Sequence, residues 1–338
     1  MRSIALVFAT SVCACGSTGT TGSPIQDDTP DAGNSGDPDS GTVITPPQPP
    51  TFTVTSPNVV LNPGDDATYC YYFRTANQTS VAIQRWASHM TAGADQVIVY
   101  LTDGDQAPMN TLKTDKCGLK NGGFTSDPVW AYSATASEAE ATLPGDDGTG
   151  TPLGMVVTGS QSGFLQMHFH NATSAQISAH VELDAYAYAQ GTRVTPATTF
   201  MAVSNTISIA AGMPGSTEYS CLLNADPQNP KFVPKFFLMA MHTHALGTHT
   251  SVSDGSTVLY DSGATPHLAD ASWQPPAFYS VTTNTLTYHC DYMNTTASTV
   301  TYDDSSASKE ICMMVGYYFP VFSPSIKSHY CLNAAMIY

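Results

Sequence analysis

The residues best suited to chemistry are histidines. The stretch Phe237-Leu238-Met239-Ala240-Met241-His242-Thr243-His244-Ala245-Leu246-Gly247 is an apolar run that ends in His-Thr-His. On a strand, side chains alternate between faces, so His242 and His244 would share one face. Two strand rises separate them by about 7 Å at the backbone, which lets both imidazoles reach one metal ion. Taken alone, the pattern more often marks two polar residues on the wet face of a half-buried strand. Three further stretches bear on the question: Ser88-His89-Met90, Leu165-Gln166-Met167-His168-Phe169-His170-Asn171, and Glu310-Ile311-Cys312-Met313-Met314-Val315-Gly316-Tyr317-Tyr318-Phe319-Pro320. His180, His249, His267, His289 and His329 match no assignable ligand position and read as surface or satisfied core histidines. Among them His249 is the reserve, since it follows the H-x-H strand by five residues.

The elements that must hold these residues are strands. Charged residues make up 11% of the 338-residue chain, and no segment keeps a helical period. Short alternating runs broken by turn residues recur from Phe52 to about Tyr188 and again from Thr206 to Phe319. The expected fold is all-β, with two antiparallel β-sandwiches side by side: residues 51–195 and residues 196–338. A cleft between two such domains is a common place for a site. Ser88-His89-Met90 is placed just before a strand of the first domain.

Eleven Lys and Arg against a formal net charge of −16 argue against nucleic acid and against electrostatic docking on anionic membranes. Residues 1–15 read as an export signal of bacterial lipoprotein type, with Cys15 the residue to be lipidated; ordinary secretion is the alternative. The lipid anchor would be the chain's only link to a membrane. Residues 16–50 are rich in Gly, Ser, Thr, Asp and Pro and read as a disordered tether. Six cysteines then remain (Cys70, Cys117, Cys221, Cys290, Cys312 and Cys331), an even number that implies disulfides in an exported chain without fixing their pairing. Walker A, G-x-G-x-x-G and H-E-x-x-H motifs are absent. Gly159-Ser160-Gln161-Ser162-Gly163 carries Gln161 where a nucleophile elbow needs Ser.

In order and spacing, the four stretches and the six cysteines resemble the copper type II, ascorbate-dependent monooxygenases, which include the peptidylglycine α-hydroxylating and dopamine β-monooxygenases. The resemblance covers roughly residues 55 to 335, and its most specific element is H-T-H-x-L-G. It implies two β-sandwiches that each hold a copper ion, a reductant such as ascorbate, O2, a small organic substrate hydroxylated at a C–H bond, and a monomer. It also implies the disulfides Cys70–Cys117, Cys221–Cys331 and Cys290–Cys312. Imidazole and thioether ligands suit copper cycling between its two oxidation states.

Carried over residue by residue, the second copper falls to His242 and His244, which also become the catalytic pair. The family's Met ligand corresponds to Ile311, which cannot ligate; Met313 shares its strand face and could approach the metal if the strand shifts, whereas Met314 points away, and core packing is the other reading of both. In the first domain His89 and His168 are retained, and the family's other His corresponds to Ser88. His170, on the face of His168, offers either a compensating third ligand or a hydrogen-bonding partner. The Arg that clamps a peptide carboxylate in peptide-hydroxylating relatives corresponds to Ala240, and its Asn and Tyr helpers to Met313 and Val315. An apolar or aromatic substrate fits these replacements better than a peptide. A copper- or ligand-binding surface lipoprotein without hydroxylase activity is the alternative reading.

Overall fold

The computed structural model describes residues 48–114, 128–223, 233–262, 271–303, 308–321 and 329–337. The export signal, Cys15, nearly all of the tether, Cys117 and His267 lie outside the described residues. Every regular element described is a β-strand, so the chain is all-β as its composition implies.

In the first half, strands Phe52–Thr55, Val181–Ala187, Val81–Met90 and Leu153–Val157 form part of one long sheet. A second sheet, ordered Leu112–Lys113, Asp66–Arg74, Ser162–His170, Ala94–Thr102 and Val129–Ala134, packs against it. Trp86, Met90, Val99, Leu165, Met167 and Phe169 fill the space between them. A buried hydrogen bond of 3.0 Å between Ser88 Oγ and Tyr132 Oη crosses that space. Ser88 therefore points inward, and it lies within the Val81–Met90 strand rather than ahead of one.

The second half has its own outer sheet, ordered Pro214–Leu222, Thr285–Met293, Gly247–Asp254 and Thr257–Asp261. It packs on strands Thr195–Ser204, Cys312–Phe319 and Lys235–His242 through Val252, Leu286, Tyr288, Phe236 and Tyr318. Cys221–Cys331 and Cys290–Cys312 are both formed, and each ties an outer-sheet strand to the long sheet. Cys70 is also disulfide-bonded.

One strand joins the halves. Thr195–Ala197 pairs in parallel with Leu153–Met155, and Thr198–Ser204 continues antiparallel to Cys312–Tyr318. The long sheet thus runs through both halves. Cys312–Phe319 is buried along its whole length, because its alternate residues serve different cores. Met313, Val315, Tyr317 and Phe319 join the first half's core, while Cys312, Met314 and Tyr318 join the second's. Packed side chains, not an open cleft, line this part of the junction.

Candidate metal centre

Lys235–His242 ends at its first imidazole. His244 lies beyond it, in the turn that leads to the strand Gly247–Asp254, so the two histidines do not share a strand face as the alternation predicts. The cause is Glu310, a fully buried side chain 66 residues away in sequence. Its carboxylate accepts the N–H of His244 at 3.0 Å and that of Leu246 at 2.7 Å, which takes these amides away from any sheet ladder. Gly247 closes the same turn. A Cβ there would lie 2.2 Å from Thr243 Oγ1, so the Gly of H-T-H-x-L-G is a packing requirement.

Within this turn the two imidazoles converge. Their ring centroids are 5.4 Å apart and the rings are inclined at 80°. Two imidazoles bound to one tetrahedral ion through bonds of about 2.0–2.1 Å have centroids about 5 Å apart. His244 Nδ1 lies 2.9 Å from the carbonyl oxygen of Lys309. A proton held on Nδ1 by that carbonyl leaves the Nε2 lone pair to face a metal, a common outer-shell arrangement.

The register supplies the sulfur. Met313 stands directly opposite His242, and Val315 directly opposite Ala240, across the antiparallel pair. Directly opposed residues share a face, with Cβ atoms about 4.5–5.5 Å apart. Met314 pairs with Met241 and packs into the other core. Ile311 is buried in the same core as Met313 and is hydrocarbon only. Two imidazoles and a thioether on neighbouring positions form a donor set that fits copper.

Glu310 is the strongest electrostatic feature nearby. Burial pushes its carboxyl up to about 7, although the N–H groups of Leu246, His244 and Ile311 favour the charged form. A cation on the adjacent imidazoles would favour the carboxylate further.

The first half is arranged differently. His89 is 53% exposed and faces outward from its sheet, paired with Glu138 on the neighbouring strand. His168 and His170 face outward from the other sheet, since Leu165, Met167 and Phe169 take the inward positions. His168 Nε2 lies 2.7 Å from Asp66 Oδ1, and its Nδ1 3.8 Å from Asp95 Oδ2. His170 Nδ1 lies 3.9 Å from the same Asp95 oxygen. Burial raises Asp95 above the usual carboxylate range, with His168 and His170 pulling the other way. Sheets packed face to face are about 10 Å apart, so rings on opposite outer faces cannot share an ion. The structure brings His168 and His170 together around Asp95 and leaves His89 apart from both.

One cluster was missed by the sequence reading. His249, His289 and Asp291 present ligand atoms that all lie within 4.8 Å of one another. The alternation His289-Cys290-Asp291 on one strand was a signal for two of them, but nothing local ties these to His249.

No family model matches the chain, and no curated protein does. Among solved structures, a similar chain comes from the Sulfolobus turreted icosahedral virus. It is 8% identical, matches over 79% of this chain and 59% of its own length, and has a TM-score of 0.21, too low to carry an argument about fold or function.

Proposed function

We propose that the chain is a copper-dependent monooxygenase-like protein that hydroxylates a C–H bond of a small organic substrate, using O2 and a reductant of the ascorbate type. The observation that carries this reading is the convergence of His242 and His244 beside Met313, opposite His242 in the register. His242, His244 and Met313 would hold the ion. When bound, copper supplies one-electron and O2 chemistry that side chains lack. The protein's part is orientation. The Lys309 carbonyl would hold a proton on His244 Nδ1, Glu310 bonds the turn amides, and the sheet register sets Met313 against His242. Ala240 and Val315, buried on the same face, give the surroundings an apolar lining and support an apolar or aromatic substrate over a carboxylate-bearing peptide.

Placement of His89 on the opposite outer face from His168 favours the second reading, a copper- or ligand-binding surface lipoprotein on the same scaffold. Among the described residues, His89, His168 and His170 do not gather into the three-histidine site that the resemblance implies for electron entry. Copper stoichiometry measured together with ascorbate-dependent O2 consumption separates the two. The enzyme reading expects uptake that rises with an apolar substrate and is lost in His242→Ala. Tight copper binding with no uptake across a substrate panel selects the binding protein, and absence of copper binding, or binding unchanged by His242→Ala, rejects both copper readings.

A further inference from the structure

The outer sheet of the second half carries a separate constellation. His249 lies on Gly247–Asp254, and His289 and Asp291 lie on Thr285–Met293. His249 pairs directly with Asp291 across these strands. His289 and Asp291 are two residues apart, so both point to the same face. That face is the outer one, because the intervening Tyr288, Cys290 and Tyr292 and the neighbouring Thr250 and Val252 are buried. The backbone beneath is held by the Cys290–Cys312 disulfide.

The four contacts within this cluster follow one pattern. Asp291 sits between the rings, with Oδ2 3.2 Å from His249 Nδ1 and Oδ1 2.9 Å from His289 Nε2. Each ring turns its far nitrogen to another carboxylate. His249 Nε2 lies 3.0 Å from Asp261 Oδ1, and His289 Nδ1 lies 3.3 Å from Glu218 Oε2. A neutral imidazole has one N–H, yet both nitrogens of both rings face carboxylate oxygens. A divalent cation at the inner positions resolves this. The far nitrogens would keep their protons and donate to Asp261 and Glu218, and the near nitrogens would turn lone pairs to the ion. That is the carboxylate–histidine–metal arrangement, with Asp261 already bonded to His249 and Glu218 within ion-pair reach of His289 Nδ1, a buried nitrogen without a hydrogen bond. A tetrahedral ion with bonds of about 2.0–2.1 Å sets its ligand atoms about 3.3 Å apart, close to the two ring-to-Asp291 spacings, while the ring centroids, 6.1 Å apart, would close by about 1 Å on binding.

We propose that His249, His289 and Asp291 form a site for one zinc-class divalent cation, distinct from the H-x-H centre, with Asp261 and Glu218 as its outer partners. Two imidazoles and one carboxylate leave the fourth tetrahedral position to solvent, and the half-exposed rings allow it. The ion would tie two adjacent strands after a small closure of the two rings, whose centroids are 6.1 Å apart.

The test titrates Zn2+ into the untagged full chain carrying His242→Ala and His244→Ala, so that the H-x-H centre does not contribute, with a Co2+ absorption spectrum as a second signal. The expected result is one ion per chain with a visible Co2+ band of tetrahedral type. Asp291→Asn or His289→Gln, added singly, should weaken binding more than tenfold and remove the band. Asp261→Asn should weaken it by about tenfold. These side chains face solvent, and an unchanged apo circular dichroism spectrum confirms that each variant folds. No ion bound by the doubly substituted chain, or binding unaffected by both Asp291→Asn and His289→Gln, overturns the proposal and leaves the cluster an ion-pair network.

Discussion

The two halves of the molecule hold histidines in similar sequence patterns but use them differently. His168-x-His170 lies within one strand, which continues through both residues despite a register shift opposite Asp95, and its rings point to the outer face beside Asp66 and Asp95. His242-x-His244 straddles the end of a strand, and its rings close on each other. The spacing is identical. What differs is Glu310, a buried carboxylate that captures two turn amides and bends the chain after His242. A short motif therefore reports ligand chemistry, and a distant buried acceptor decides whether the ligands converge.

Substitutions can break this comparison, and the largest effect belongs to the ligands. His242→Ala or His244→Ala should weaken copper binding by on the order of a hundredfold or more, beyond the loss typical of outer-shell changes. The same substitution at His168 should leave the binding at His242 and His244 unchanged. Isothermal titration with copper in a competing chelator reads both.

Glu310 comes next. Glu310→Gln keeps the shape but exchanges an acceptor oxygen for a donor NH2 facing backbone N–H groups, so copper affinity should fall about 10–100-fold. The metal-free chain should also show the residue in its pH dependence. Its folded value of about 7 lies above the ordinary 4.5, so the folded state keeps a proton that the unfolded chain releases. The corresponding stability is fully present below about 4.5 and is lost as pH rises through about 7. Urea unfolding across that window should show a decline of at most about 3 kcal/mol, flattened in Glu310→Gln.

Met313 sharpens the comparison by separating ligation from packing. Met313→Leu nearly conserves volume and should cost less than about 1.5 kcal/mol of stability. It should nonetheless reduce Cu(I) affinity, while Met314→Leu, facing the other core, should not. Gly247→Ala, driven against Thr243 Oγ1, should destabilise the turn by about 1–3 kcal/mol in thermal melts. The smallest effect is expected at His89→Gln. Its exposed pair with Glu138 should be worth less than about 1 kcal/mol, and its removal should not touch copper binding.

Much of this was legible in the sequence, because β-alternation is a local signal. Phe164–His170 and Thr285–Cys290 fall inside observed strands, and Met313 was distinguished from Met314 by strand parity alone. The turn after His242 was not legible, since the carboxylate that holds it lies 66 residues beyond His244, in a side chain that resembles any other Glu. His89 was misjudged because spacing says nothing about which sheet of a sandwich a strand joins. The His249, His289 and Asp291 cluster was passed over because two strands meet there only through the register.

The most direct test of the proposed copper centre is X-ray absorption at the copper edge, on the full chain loaded with a single equivalent of Cu(I). A centre at His242, His244 and Met313 predicts two imidazole nitrogens and one sulfur around the ion, with the sulfur lost in Met313→Leu and retained in His168→Ala. A spectrum without sulfur, unchanged by His242→Ala, would contradict it.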